Sequence, residues 1–219
     1  MITGRSSGCV RAFTAGLALA AAFAAGLLSA AAQTPPQAAP PPPPAPPPAL
    51  VSGLALPPKL IDEVKIGGLA HDVGLGDHHV ESGADVNLEL LFTPPEILSF
   101  LGSPRPHIGG NINTDGNTSA GYFGLTWGIT LIQNLFGTGD GLFANGSLGG
   151  AVHDGYLDSA PPDRKKLGSP ILFRESVELG VQLTPVISVS GFVDHMSNAN
   201  LAGHNAGVTN AGGRLGFKF

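Results

Sequence analysis

His195 and Ser197 stand two residues apart in "DHMSNANLAGHNAGVTNAGGRLGFKF", the stretch that closes the chain. A serine is a weak nucleophile until a base takes its proton, and imidazole is the side chain whose ordinary pKa suits that task near neutral pH. Residues i and i+2 of a strand share a face, so this spacing brings hydroxyl and imidazole to one side. Acyl transfer is the chemistry such a pair offers. The tripeptide is not specific on its own, and two polar residues opening a loop at the end of a strand read the same way.

Other groupings of reactive residues are looser. His71, Asp72, Asp77, His78 and His79 could coordinate a metal, but they lack fixed ligand spacing and fit a solvated loop better. Asp154, Asp158 and Asp163 could gather calcium or bridge lipid phosphates, and again solvation is the simpler reading. Arg164, Lys165 and Lys166 form a basic run that could clamp a phosphate as point charges, or could be an ordinary wet loop. The sequence therefore predicts no metal and no cofactor.

The elements that must position His195 and Ser197 follow from composition. The 219 residues carry 11 basic and 16 acidic side chains, a formal charge of −5, with no continuous basic stretch to neutralise a phosphate backbone; nucleic acid is a poor partner. Charged residues make up only 12% of the chain, low for a soluble domain and comfortable on a lipid-facing wall. Residues 1–32 read as a secretory signal peptide: Arg5 and Arg11, an alanine-rich apolar core, and an A-x-A pattern before a cut between Ala32 and Gln33. Cys9, the lone cysteine, lies inside that segment, so the exported chain is expected to hold no disulfide. Residues 33–58, centred on "APPPPPAPPPA", read as an extended polyproline spacer, which leaves 59–219 as the folded unit.

No apolar run of about 18 residues occurs from Lys59 onward, which excludes a spanning helix. In its place are eight alternating, glycine-rich segments near 64–71, 84–92, 106–113, 121–131, 141–152, 171–182, 186–195 and 209–219. They predict an all-β fold, an eight-stranded antiparallel transmembrane β-barrel of the outer membrane. A barrel of that size fills its lumen with side chains and forms no wide pore. Connections after the first, third, fifth and seventh segments are the longer or more polar, as extracellular loops would be. "TPPEILSFLGSPR", "QNLFGTGD" and "TPV" then fall at the periplasmic end, the first with room for a helical turn. Trp127 reads as an interfacial aromatic.

Parity along the seventh segment puts Ile187, Val189, Gly191 and Val193 on the lipid face, and continuing it reaches His195 and then Ser197 at the outer rim. Hydrocarbon is an odd setting for unpaired polar groups. On the sixth segment Glu175 shares the apolar face with Ile171, Phe173, Val177 and Leu179. If "TPV" is the turn, pairing Leu183 with Ile187 sets Glu175 directly across from His195, where it could orient the imidazole; pairing with Arg174 or with loop lysines is the alternative.

"HMSNAN", then "NAG", then "GGRLGFKF" resembles the C-terminal signature of the outer-membrane lipid A 3-O-deacylase (acyloxyacyl hydrolase) family, whose pattern is H-x-S-N-A, a loop with N-x-G, and a last strand ending in an aromatic residue. "GGNINTDGNTSAGYFGLTW" and "FRESVELGVQL" are also similar to the middle and sixth strands of that family. The resemblance implies that Ser197 attacks the ester joining an acyl chain to the lipid A sugar and that His195 serves as base and then acid. It further implies that Asn198 and Asn205 stabilise the oxyanion or position substrate. A glutamate near the start of the last strand usually orients the histidine in the family; here Thr209 occupies that place, which leaves Glu175, Thr209 or neither as the orienting group. Lipid A, surrounding outer-membrane lipids and a homodimer are the partners this reading allows. A non-catalytic structural or adhesive barrel of the same fold is the competing expectation, and an acyltransferase would need an acceptor site that no residue marks.

Overall fold

Alternation of apolar and polar residues with period two, broken by turn residues, produces strands whose two faces differ, and closing them into a cylinder leaves no unpaired edge. The computed structural model describes residues 59–75, 78–137 and 139–219. The expected signal peptide, the spacer and Asp77 lie outside the described residues. Eight strands run in chain order: β1 (Ile61–Ala70), β2 (Ala84–Phe92), β3 (Arg105–Asn113), β4 (Ala120–Gln133), β5 (Asp140–His153), β6 (Ile171–Gln182), β7 (Ile187–Ser197) and β8 (Val208–Lys218). Each pairs antiparallel with its neighbours and β8 closes on β1. Among the described residues no helix is long and apolar enough to cross a membrane; these strands have the length that a tilted bilayer crossing needs. The expected helical turn is a 3-10 helix, Glu96–Leu101, and Trp127 Nε1 donates to the Leu101 carbonyl at 2.9 Å.

The outer wall is apolar. Ile66, Leu88, Ile108, Phe123, Val152, Phe173, Leu179, Val189 and Leu215 all present exposed side chains. The lumen is the reverse: Lys65, Arg174 and Arg214 meet Glu63, Glu89, Glu178 and Asp194, all buried. Arg174 also stacks on Tyr122 at 3.5 Å and Arg214 on Phe192 at 3.6 Å. Side chains thus fill the interior, as expected for eight strands.

The β6–β7 turn fixes the register that matters here. Leu183 N–H bonds the Ile187 carbonyl at 2.9 Å, while Thr184 Oγ1 accepts from the Val186 and Ile187 N–H groups. Stepping back along the ladder from that turn sets Glu175 opposite His195, and on the other side of β7, Thr209 opposite His195. Leu148, Glu175, His195 and Thr209 therefore form one rung across β5 to β8, on the outer wall. Ser197 ends β7 two register positions further on, beside Phe173.

Candidate active site on the barrel wall

His195 is half-buried at the end of the barrel that carries the longer loops. Its Nδ1 lies 2.7 Å from Thr209 Oγ1, and the Thr209 hydroxyl in turn donates to the Leu75 carbonyl at 2.8 Å. Glu175 is the register partner of His195, but the hydrogen bond at Nδ1 runs to the other neighbour, Thr209.

Ser197 departs from the expected lipid exposure. It keeps the parity of His195, yet only 3% of its surface is exposed, and among the described residues its Oγ has no hydrogen-bond partner. The loop that follows it folds back at Ala199 and Asn200, both with positive φ (57° and 61°). Asn198 fastens it. Asn198 Nδ2 donates to the carbonyls of Leu167 (2.7 Å) and His204 (2.5 Å), and the Asn198 backbone N–H donates to Asn205 Oδ1 at 2.8 Å. Both protons of the Asn198 carboxamide are engaged with carbonyls, so this side chain stitches two loops together. With its oxygen facing Asn198, the Asn205 carboxamide keeps its NH₂ as the donor end.

The third long loop supplies the other half of that stitch. Gly168 takes φ 72° and passes so close to the His204 carbonyl that a side chain would collide with it. Ala206 N–H bonds the Lys166 carbonyl at 3.0 Å. The basic run behaves differently from a surface clamp. Lys165 is buried and its Nζ binds Asp72 Oδ1 at 2.6 Å and the Gly207 carbonyl; Arg164 pairs with Glu81 at 3.2 Å and lies 5.1 Å over Tyr156; Lys166 alone of the three is exposed. These cations anchor the loop to the first one because buried charge must be paired.

The first loop is organised by ion pairs of its own. His71 is held between Asp85 Oδ2 (2.9 Å) and Glu81 Oε2 (3.1 Å). Burial opposes its charge, but the hydrogen bonds its ring donates to both carboxylates, and their charges, outweigh it, raising the imidazole pKa to about 9. Burial likewise opposes charge on Glu81, and the hydrogen bonds from His71, Lys165 and Thr118 overcome it, lowering the carboxyl to about 2. Asp72 Oδ2 accepts from Val80 and Glu81 N–H groups, and His79 Nδ1 meets the Asp72 carbonyl. His71, Asp72 and His79, considered from sequence as metal ligands, are thus engaged in loop architecture. Asp154 Oδ1 receives the Ser119 N–H at 2.7 Å, while Asp158 and Asp163 are exposed.

Gly207 completes the enclosure. A Cβ on it would stand 2.6 Å from His195 Cε1 and 3.0 Å from Nε2. Gly207→Ala is therefore expected to push the ring off its position while the barrel still folds, and a displacement approaching 1 Å costs on the order of 10²-fold in rate. Ester hydrolysis by the refolded variant measures it; unchanged turnover would show that the ring need not sit there.

The model of the lipid A 3-O-deacylase (PagL) family matches residues 89–218, from within β2 to the end of β8. The chain belongs to that family. Among solved structures, that of the outer membrane enzyme PagL aligns over 72% of this chain and 99% of its own, with TM-score 0.52 and 17% identity. The N-terminal β-barrel domain of Pseudomonas aeruginosa OprF aligns over 72% and 98%, with TM-score 0.45 and 12% identity. Neisserial surface protein A (NspA) aligns over 73% and 97%, with TM-score 0.44 and 9% identity. Comparison with curated proteins finds no match. Family membership and the apolar outer wall together place this barrel in the outer membrane.

Proposed function

We propose that this outer-membrane barrel hydrolyses an ester-linked acyl chain of lipid A, with Ser197 as nucleophile and His195 as general base and acid. Ser197 Oγ attacks the ester carbonyl as its proton passes to His195 Nε2; the tetrahedral intermediate expels the sugar oxygen, which takes that proton; water, activated by the same nitrogen, then releases the fatty acid from the acyl-serine. The carboxamide of Asn205 is the side-chain donor for the oxyanion, and Asn198 keeps it in place by holding the loop. Glu175, opposite His195 on the same outer rung, is a carboxylate within the rung that can support the imidazolium as it forms.

One observation carries the reading. In a member of this family, a serine hydroxyl that has no hydrogen-bond partner among the described residues is enclosed on the membrane-facing wall, two positions along the strand from a histidine of the same face. An orphaned buried hydroxyl is costly in a merely structural protein, and a site at the loop end of that wall meets the ester bonds of an outer-leaflet lipid without extracting it. Thr209, standing where the family carries its acid, favours the second reading, a barrel that has kept the fold and lost effective catalysis. Purified protein in detergent micelles, incubated with lipid A bearing ester-linked chains, separates the two. Release of one fatty acid, seen as a single acyl loss in the mass spectrum of lipid A, is expected; an unchanged spectrum would select the non-catalytic barrel.

A further inference from the structure

The segment that follows β1 continues alongside β8 after the strand has ended. Ala70 pairs with Ala211, Asp72 N–H then donates to Asn210 Oδ1 at 3.1 Å, and Val73 N–H donates to the Thr209 carbonyl at 2.7 Å. Gly74 turns at φ 72°, a conformation natural to glycine, and the chain comes back with the Leu75 carbonyl against the Thr209 hydroxyl. Buried Asp72 anchors the turn: its carboxylate accepts from Val80 N–H, Glu81 N–H and Lys165 Nζ.

A hydroxyl has one proton. Because Thr209 gives its proton to Leu75, its oxygen can act toward His195 only as an acceptor, and Nδ1 must be the protonated nitrogen. In the neutral ring that leaves the lone pair on Nε2, the tautomer that a base acting on Ser197 requires. From this we infer that residues 71–75 belong to the catalytic apparatus: the Leu75 carbonyl and the Thr209 hydroxyl form a relay that fixes the tautomer and orientation of His195. Thr209 is a positioning residue, doing through a backbone carbonyl part of what the family's glutamate does through a charge. Once Nε2 has taken the serine proton, the same relay faces the imidazolium with two aligned dipoles.

This inference rests on the esterase reading for its consequence in rate, but its geometry can be tested apart from it. The ring-nitrogen NMR shifts of ¹⁵N-labelled His195, identified by their loss in His195→Asn, are expected to show a protonated Nδ1 and a bare Nε2 in the wild type and a mixture of tautomers in Thr209→Val. In turnover, Thr209→Val is expected to lower kcat roughly 10²-fold with KM little changed, less than the loss of a triad carboxylate because no charge is removed, and Thr209→Ser is expected to restore most of it. Gly74→Ala, which strains the turn without touching the relay's side chains, should shift the tautomer in the direction of Thr209→Val. A wild-type ring protonated at Nε2, or the wild-type tautomer and kcat surviving in Thr209→Val, would overturn the inference. Should the wild type release no fatty acid, the esterase reading falls, and the nitrogen shifts still decide the relay.

Discussion

Ser197→Ala is expected to reduce fatty-acid release by a factor on the order of 10⁴ or more while leaving the barrel as stable as before. The two halves of this expectation have one cause. Ser197 Oγ makes no hydrogen bond among the described residues, so its removal strands no partner there and relieves the cost of an enclosed polar group. Most serines this buried would destabilise the fold when truncated, and lost activity would then be ambiguous. Here a normal urea midpoint beside absent turnover isolates the chemical step. His195→Asn should cost a similar factor and the double variant scarcely more, because the proposed nucleophile and base would act as a unit. Additive losses would mean that another group activates the serine; retained turnover in Ser197→Ala would remove it from the mechanism.

The largest effect on stability is expected inside the lumen, at Glu178. Its carboxylate binds Lys65 Nζ, Arg214 Nη2 at 3.0 Å, Asn145 Nδ2 at 2.7 Å and Ser190 Oγ at 2.6 Å, with the residue only 4% exposed. Glu178→Gln keeps the shape but removes the charge and turns one acceptor into a donor. Lys65 is then left with Glu63 at 3.8 Å, and Arg214 with Glu89 at 3.3 Å. Breaking one side of a buried ion network costs about 3–5 kcal/mol, because the remaining charges stay out of water. The urea midpoint of the refolded barrel should fall accordingly. An unchanged midpoint would mean that water reaches Lys65 and Arg214 inside the barrel.

Much of this architecture was legible in the sequence, for reasons that can be named. Strand positions followed from alternation, and the register of β6 against β7 from three residues, because a tight turn leaves one pairing open to the flanking strands: Leu183 with Ile187 already implies Glu175 opposite His195. What the sequence does not carry is contact between loops. Ser197 reads from sequence as lipid-facing because parity describes a strand and is silent about what packs against its end. Lys165 reads from sequence as part of a wet loop or a phosphate clamp, since its burial depends on Asp72, 93 residues earlier. The Leu75 carbonyl could not have been singled out at all, as every residue has one. Gly207 left a fainter trace, a glycine in "HNAGV" two residues before Thr209, where close backbone approach to the ring is needed.

The seam at which the first and last strands zip together gives the molecule a safeguard in time. His195 comes from β7, Thr209 from β8 and the Leu75 carbonyl from the continuation of β1, so the three meet only after the cylinder has shut. A chain still crossing the periplasm, with its terminal strand unpaired, holds these groups at opposite ends of its folding segment. On the proposed reading, the full positioning of His195 is therefore reached only when the barrel has closed.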